Sequence, residues 1–205
     1  MYVLVGAGGH AKVITDILQT NKFKIKGFID DYLTEKTFMG YSLLGKTEDI
    51  PAIIESEPSL RFIISVGSNT ARRHLVDKIS RYGVMYGKVV HPSAVISNLV
   101  TIGDGTVIMP NSVINADTQI GSHCIINSGA IIEHECRLQD FVHVSPGALL
   151  AGSVKVGKGT HIGIGAKVIQ NIEIGSNATV GAGAVIIRNV FNNTKVVGVP
   201  AREII

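Results

Sequence analysis

The sequence predicts two units in series: an α/β half-domain of the Rossmann type over residues 1–88 and a parallel β-helix over residues 89–205. Three observations predict this arrangement. A six-residue repeat fills most of the second half, a glycine-rich loop follows the first apolar run, and strand-like and helix-like segments alternate before the repeat begins. His91-Pro92 marks the junction, because proline interrupts regular strand pairing.

The repeat itself has no exception over its whole length. Every sixth residue from 90 to 186 is aliphatic: Val90, Ile96, Ile102, Ile108, Ile114, Ile120, Ile126, Ile132, Leu138, Val144, Leu150, Val156, Ile162, Val168, Ile174, Val180 and Ile186. Four residues after each comes a small or β-branched residue. A six-residue period fits neither a helix nor the alternation of a flat strand. It is typical of a parallel β-helix, in which three hexapeptides close one coil and the aliphatic side chains stack inside.

The residues before the repeat show a different pattern. Apolar runs predict three strands, and amphipathic segments predict three helices between and after them. The strands are Tyr2–Val5, Ile25–Ile29 and Arg61–Val66, and the helical segments are Val13–Leu18, Glu48–Ile54 and Thr70–Tyr82. Strands that alternate with helices indicate a parallel α/β sheet.

The composition favours a cytoplasmic enzyme. Charged residues make up 17% of the chain, and the net charge is only +3 with no basic stripe, so no nucleic-acid partner is expected. No apolar run reaches the roughly 18–20 residues of a membrane span, and Met1–Val5 lacks the features of a signal peptide, so no membrane partner is expected either. Cys124 and Cys136 both occupy the small position of the repeat, which predicts buried, reduced thiols.

The glycine-rich loop after the first strand is a candidate phosphate-binding site. Gly6-x-Gly8-x-x-Ala11 matches a dinucleotide fingerprint, and Asp30 follows at about the expected distance of 20 residues. Glycine allows a close backbone approach, and the start of the next helix offers free N–H groups to a phosphate. A dinucleotide needs two half-folds and this unit is long enough for one, so a nucleotide sugar fits better. A glycine-rich turn that binds no ligand remains an alternative interpretation of this loop.

Several motifs in a fixed order resemble one family. The GAGGHAK loop from Gly6, the Asp30-Asp31 pair, the segments VGSN from Val66 and HPSA from His91, and IEHEC from Ile132 are similar to those of bacterial sugar acetyltransferases. The nearest type is the bacillosamine-type UDP-4-amino-sugar N-acetyltransferase, and sialic-acid O-acetyltransferase-like proteins share the pattern. The resemblance spans essentially the whole chain. It implies a left-handed β-helix, a homotrimer, acetyl-CoA as donor and a nucleotide-sugar acceptor.

The resemblance also implies roles for residues of the first unit, all of them in acceptor binding. The glycine loop would contact the phosphates, the acidic pair the uridine side or the sugar, and the segment after the third strand the nucleotide. The acceptor-binding residues are therefore expected to be Gly8, Gly9, His10, Asp30, Asp31, Gly67, Asn69 and Arg72.

In the repeat, the resemblance implies the catalytic residues and the acetyl-CoA site. His134 would be the general base, Glu135 its neighbour and His143 a second active-site histidine. Acetyl-CoA would be held by His143, Gly152, Ile164, Gly181 and Ala182. The repeat frame supports part of this, because His134 and His143 fall at outward positions, half a coil apart. One chain is therefore not expected to bring them together, whereas a site between subunits could. No metal site is predicted, because no histidines show ligand spacing with a third donor.

These observations lead to one preferred function and several alternatives. We expect direct transfer of acetyl from acetyl-CoA to the amine of a UDP-4-amino-4,6-dideoxy sugar in a ternary complex, with a neutral imidazole as base. The alternatives are a sialic-acid or other sugar O-acetyltransferase, a non-enzymatic trimer that binds nucleotide sugars, a nucleotidyltransferase and a structural solenoid. The EHE cluster beside a Gly-His loop favours the enzyme, and the acceptor stays open.

Overall fold

The computed structural model describes residues 1–204, in two compact units that divide after Val89. The first unit is an α/β sheet of five strands with three α-helices. Its strands are β1 (Tyr2–Val5), β2 (Ile25–Ile29), β3 (Thr37–Phe38), β4 (Tyr41–Gly45) and β5 (Arg61–Ile64), and its helices are α1 (Gly9–Thr20), α2 (Ile50–Ser56) and α3 (Asn69–Ser80). The strand order is β3-β4-β2-β1-β5. Strand β1 pairs in parallel with both β2 and β5.

The position of β1 between β2 and β5 creates a switch point in the order of the strands. From β1 the chain passes through α1 to β2 on one side, and β5 lies on the other side. The loops after β1 and β5 therefore leave the same carboxyl edge next to each other. Ser65 Oγ joins them by donating to the carbonyl oxygens of Val5 and Gly6, at 3.0 and 2.6 Å. Such a switch point is the usual ligand crevice of an open α/β sheet.

Three predictions for this unit need correction. The hairpin of β3 and β4 was not predicted, and because β3 pairs antiparallel the sheet is not purely parallel. Its turn residues Met39 and Gly40 both have positive φ, 50° and 79°, a geometry for which methionine gives no sequence signal. The segment predicted as one helix at 48–54 is a 3-10 turn, Thr47–Asp49, followed by α2. The third strand ends at Ile64 rather than Val66.

The second unit is a parallel β-helix, as the repeat predicts. Each hexapeptide contributes one two-residue strand, and strands 18 residues apart pair in parallel, as Ile125 does with His143. The first sheet contains Val95–Ile96, Val113–Ile114, Ile131–Ile132, Leu149–Leu150, Lys167–Val168 and Val185–Ile186; the second contains Thr101–Ile102, Gln119–Ile120, Arg137–Leu138, Lys155–Val156 and Glu173–Ile174. The third contains Val89–Val90, Val107–Ile108, Ile125–Ile126, His143–Val144, His161–Ile162, Thr179–Val180, Lys195–Gly198 and Ala201–Ile204.

The repeat aliphatics form the core of this unit. From Ile108 to Ile186 each is at most 3% exposed, whereas Val90, Ile96 and Ile102 are half-buried. The difference arises because these three belong to the first coil and have a stacking neighbour of the repeat on one side only. Burial of a large aliphatic side chain contributes about 1.5–3 kcal/mol, so the stacked column is the main stabilising feature of the unit.

The small position of the repeat also carries hydrogen bonds between coils. Thr106 Oγ1 donates to the carbonyl oxygen of Gly121 at 2.8 Å and accepts from the N–H of Cys124 at 3.0 Å. Cys124 and Cys136 are buried free thiols, which confirms the prediction for them. Burial raises the pKa of the Cys136 thiol. A protonated buried thiol is a poor nucleophile, which argues against a covalent role.

The β-helix ends in an element that the sequence did not reveal. The last two strands, Lys195–Gly198 and Ala201–Ile204, pair antiparallel as a hairpin, and the first of them continues the third sheet by pairing with Thr179–Val180. The peptide bond between Val199 and Pro200 at the turn is cis. Among residues 1–204, no helix has the length and apolar character needed to cross a membrane.

Candidate active site

His134 and Glu135 form a hydrogen-bonded pair at a corner of the β-helix. The corner joins strands Ile131–Ile132 and Arg137–Leu138. His134 Nδ1 lies 3.2 Å from Glu135 Oε2, and each side chain is 59% exposed. Glu135 has φ +60°. Adjacent side chains of an extended strand would point to opposite sides, but this left-handed corner turns both outward and into contact.

The pairing determines which imidazole nitrogen can act as a base. An ionised carboxylate only accepts hydrogen bonds, so Nδ1 of His134 must carry the proton and Nε2 of the neutral ring holds the lone pair. The hydrogen bond from His134, and next that from Ser153, lower the pKa of Glu135 from its ordinary value. Glu135 therefore stays ionised at neutral pH. The His134 side chain is more than half exposed, and the described residues provide no hydrogen-bond partner for its Nε2.

A groove of about 480 Å³ lies on the third face of the β-helix. Four of the residues predicted for acetyl-CoA line it: His143, Ile164, Gly181 and Ala182. Ile164 is 62% exposed, which is unusual for an isoleucine in this apolar repeat. An exposed apolar side chain beside glycine backbone suits a long, thin ligand with an apolar stem.

Two stacked histidines form the polar part of this groove. The rings of His143 and His161 lie 4.8 Å apart between centroids, at an angle of 10°. Asn127 Nδ2 lies 3.2 Å from His143 Nε2, and Ser145 Oγ lies 2.7 Å from His161 Nε2. Asn127, Ser145 and His161 were not among the predicted site residues. The 18-residue spacing does contain a signal for one of them, because His161 is one coil after His143.

Gly152, the fifth residue predicted for acetyl-CoA, lies outside this groove, one coil beyond His134. It does not line the groove of His143, and neither does His134. A Cβ atom added to Gly152 would lie 2.6 Å from His134 Cε1, so the imidazole lies directly against this glycine. Within one chain, the corner of His134 and the groove of His143 are therefore separate regions of the surface, as the repeat frame predicts.

The first unit has a cavity of about 300 Å³ at the carboxyl ends of β1 and β2, against α3. Of the predicted acceptor residues, Asp30 and Asp31 line it, and the other six do not. Residues that sequence reasoning missed here are Tyr32, Thr47, His74 and Lys78. Tyr32 is 92% exposed. No sequence signal places these residues at the cavity, because their positions there depend on the turn after β2 and on the orientation of α3.

Asp30 holds the glycine loop in place. Its Oδ2 accepts from the N–H of Ala7 at 2.8 Å, and its Oδ1 accepts from the N–H groups of Tyr32 and Leu33 at 2.9 and 3.0 Å. The carboxylate thus connects the end of β2 to the loop after β1. Its observed contacts are with the protein backbone, and they hold the loop in its shape.

Asp31 is also engaged by the protein. Its carboxylate accepts from the N–H and Oγ1 of Thr47, at 2.8 and 2.9 Å, and from Lys78 Nζ at 2.8 Å. Burial alone would raise its pKa, but the hydrogen bonds from Lys78 and Thr47 more than offset that effect, and the pKa of Asp31 is lowered. Asp31 thereby joins the turn before α2 to helix α3 beside the cavity.

The remaining acceptor residues cluster at the crevice between β1 and β5. Arg72 is 1% exposed; its Nη1 donates to the carbonyl of Gly67 at 3.0 Å and its Nη2 to Asn69 Oδ1 at 2.7 Å. Burial, and next the charge of Arg72, lower the pKa of His10 to about 4. His10 is thus neutral, and its Nε2 is buried without a hydrogen-bond partner among the described residues.

The start of α1 supports an anion at this crevice. Gly8 is the N-cap residue, no side chain among residues 1–204 caps the helix, and its first turn contains no acidic residue. A Cβ atom added to Gly8 or Gly9 would meet no atom within 4 Å. Free N–H groups, open space and a buried guanidinium nearby are the features of a phosphate site.

Comparison with known proteins agrees with both units. The family model for the PglD N-terminal domain matches residues 2–79, and that for the bacterial transferase hexapeptide (six repeats) matches residues 99–134 and 153–188. A curated relative, UDP-N-acetylbacillosamine N-acetyltransferase of Bacillus subtilis, is 39% identical over 106 residues. That match covers 50% of this chain and 48% of the relative, so the matched region spans about half the length of that relative.

Solved structures match over nearly the whole chain. A histidine-to-asparagine variant of perosamine N-acetyltransferase from Caulobacter crescentus, in complex with CoA and GDP-perosamine, has a TM-score of 0.94 and 35% identity, covering 99% of this chain and 96% of that one. The acetyltransferase domain of PglB from Neisseria gonorrhoeae, in complex with acetyl coenzyme A, has a TM-score of 0.90 and 31% identity, covering 99% and 98%.

The fold and the matches define a hexapeptide-repeat acyltransferase with a Rossmann-like first unit and a left-handed β-helix. The chain belongs to the family of bacterial nucleotide-sugar N-acetyltransferases that includes the bacillosamine and perosamine enzymes.

Proposed function

We propose that the protein transfers an acetyl group from acetyl-CoA to the amine of a sugar linked to a nucleotide. The observation that carries this proposal is the exposed His134–Glu135 pair, in which Nδ1–H donates to the carboxylate and Nε2 keeps its lone pair. The relatives support it, because an N-acetyltransferase in this family was solved with CoA and GDP-perosamine as a histidine variant.

The chemical step is an aminolysis of a thioester. The neutral amine of the acceptor attacks the thioester carbonyl, and a C–N bond forms as the C–S bond breaks. His134 Nε2 takes the proton that the nitrogen loses and passes it to the departing thiolate. Glu135 stabilises the imidazolium between these two events. The buried, protonated Cys136 is a poor nucleophile. The transfer is therefore direct, in a ternary complex, and no acyl-enzyme forms.

In this proposal the first unit binds the acceptor. The diphosphate lies at the open start of α1, at Gly8, Gly9 and His10, and Arg72 provides positive charge from behind Gly67 and Asn69. The cavity beside Asp30 and Asp31 receives the nucleoside. Tyr32 is almost fully exposed at its rim, and a base stacked on the ring would cover it.

The acetyl-CoA site lies along the β-helix. The groove of His143, Ile164, Gly181 and Ala182 offers backbone groups and an apolar wall to the pantetheine arm and adenine end. Since one chain keeps His143 apart from His134, a complete site needs a second subunit, and we infer a homotrimer with its sites between β-helices. We also propose a cytoplasmic location and a role in glycan biosynthesis, since the proposed substrates are a nucleotide sugar and acetyl-CoA.

A screen of acceptors tests this function. Purified protein with acetyl-CoA is offered UDP-linked 4-amino sugars, GDP-linked 4-amino sugars and sialic acids, and free CoA and acetylated product are measured. We expect turnover with an amino sugar on a nucleotide, with UDP as the carrier suggested by the sequence motifs and GDP as the alternative suggested by the perosamine relative. Turnover with sialic acid alone would replace the proposal with an O-acetyltransferase.

A further inference from the structure

The next coil forms a support beneath the catalytic pair. Gly152 and Ser153 follow His134 and Glu135 by 18 residues, so they occupy the same corner one coil on. The N–H of Ser153 donates to the carbonyl of His134 at 2.9 Å, which places the two corners in register. Ser153 Oγ donates to Glu135 Oε2 at 3.1 Å, the same oxygen that faces His134 Nδ1.

Glycine is required at position 152 by space and not by backbone conformation. Gly152 is absent from the residues with positive φ, so alanine could adopt its backbone geometry. A Cβ atom there would nevertheless lie 2.6 Å from His134 Cε1, 2.8 Å from Nε2 and 3.2 Å from Nδ1. The near edge of the imidazole therefore rests on the Cα of Gly152.

We propose that Gly152 and Ser153 are positioning residues that aim the His134–Glu135 pair at the acceptor amine. This inference rests on the proposed function of His134. Gly152 supports the ring, and Ser153 fixes the carboxylate that fixes the ring. Both contacts, that of Gly152 and that of Ser153, are needed because His134 and Glu135 are each 59% exposed. Exposed side chains populate several rotamers unless neighbours restrict them.

The other charged groups at this corner are already engaged. Glu133 accepts from Asn115 Nδ2 at 2.8 Å. Arg137 Nη1 donates to the carbonyl oxygens of Asp117 and Cys136. Glu135 is thus the charged group whose position relative to the His134 ring depends on Ser153, and a change in the pH profile can be attributed to it.

Gly152→Ala tests the support beneath the ring. Because the ring is exposed, it can swing away from the new methyl group, so we expect an unchanged melting temperature and KM values within about twofold, but kcat lower by about 10²-fold, the cost of a misplaced catalytic group. In a His134→Ala background the same substitution should have no further effect. Unchanged kcat for Gly152→Ala, or an equal loss in both backgrounds, would overturn the role of Gly152.

Ser153→Ala tests the hydrogen bond to the carboxylate. Ser153 has φ +59°, and so does its counterpart one coil on, Asn171, at +60°; Asn171→Ala is therefore a control for backbone strain. We expect Ser153→Ala to lower kcat about 10-fold and to move the acid limb of the kcat/KM profile to lower pH, because the imidazolium loses its fixed carboxylate. Ser153→Asn keeps a donor and suits positive φ, so it should restore both.

The outcomes separate this inference from the function on which it rests. If Asn171→Ala matches Ser153→Ala in kcat and pH profile, backbone strain explains both and the role of Ser153 is wrong. If His134→Ala abolishes activity while the Gly152 and Ser153 variants behave as wild type, only the positioning inference fails. If His134→Ala itself is fully active, the proposed function of His134 fails.

Discussion

His134 and Glu135 are hydrogen-bonded neighbours, at 3.2 Å, because Glu135 has a left-handed backbone conformation with φ +60°. In an extended strand the same two side chains would point to opposite sides. The corner of the β-helix thus converts a sequence neighbour into an orienting partner. It also leaves the imidazole of His134 more than half exposed, with Nδ1 engaged by Glu135 and Nε2 as the remaining ring nitrogen.

Glu135→Gln should lower kcat about 10-fold with little effect on KM for acetyl-CoA. Glutamine keeps an oxygen that accepts from Nδ1 but removes the charge that stabilises the imidazolium. Steady-state kinetics measure this. Glu133→Gln is the matched control, since Glu133 bonds to Asn115 rather than to the pair. Equal losses in both variants would mean that charge in the segment, and not contact with His134, is responsible.

The buried His10 should make stability depend on pH in a defined window. The unfolded histidine binds a proton below about pH 6.5, whereas the pKa of folded His10 is about 4. Between these values the unfolded chain binds more protons, so stability falls as pH falls. The full contribution, on the order of 3 kcal/mol, is present above about pH 6.5 and is lost by about pH 4.

His10→Gln tests this linkage, because glutamine does not titrate. Urea unfolding at about pH 5 and about pH 7 should show a smaller loss of unfolding free energy for the variant than for the wild type. His74→Gln is a control on helix α3 of the same unit. A wild-type loss that His10→Gln leaves unchanged would assign the pH dependence to other groups.

Asp30→Asn should loosen the glycine loop. The amide has one oxygen where the carboxylate has two, so it cannot accept from Ala7 and from the turn after β2 at the same time. A lost hydrogen bond to a charged group costs about 1.5–3 kcal/mol. We expect a lower unfolding free energy and a raised KM for the acceptor, with KM for acetyl-CoA unchanged. Asp16→Asn on the exposed side of α1 is the control, and a raised KM for acetyl-CoA would reassign the loop.

The two substrates should protect different segments from hydrogen exchange. CoA should slow exchange over residues 150–190, which contain the part of the groove lined by His161 and Ile164. The nucleotide sugar should slow exchange over residues 6–12, which include the open start of α1, and over residues 30–31 and 67–72. Protection of residues 6–12 by acetyl-CoA alone would reverse the assignment of the two ligands.

The sequence predicted the β-helix almost strand by strand because every hexapeptide carries its own signal. The β3–β4 hairpin escaped prediction because Met39 at positive φ leaves no mark in the sequence. The sequence left open whether Glu135 contacts His134 or acts across the corner, because the positive φ of Glu135 leaves no mark in it either. The burial of Arg72 was not predicted either. Its helix has a basic, amphipathic sequence, and only the fold shows that Arg72 contacts the loop after β5.

Residues that are adjacent only across coils fall between these cases. The 18-residue period predicts that His143 lies beside His161, and the structure places their rings 4.8 Å apart. The period also places Gly152 beneath His134, but the resemblance suggested only a backbone contact with CoA. The steric need for glycine at position 152 becomes evident only from the position of the imidazole ring. That position depends on a side-chain rotamer, which no sequence pattern specifies.

The kcat of His134→Ala tests the central claim most directly. If His134 is the general base, this variant loses about 10²–10⁴-fold in kcat while it binds acetyl-CoA with nearly wild-type affinity, as isothermal titration would measure. Cys136→Ala, made in parallel, should stay close to wild type because no acyl-cysteine takes part. A His134→Ala variant with near-normal kcat, or acetylated Cys136 trapped by mass spectrometry, would contradict the account.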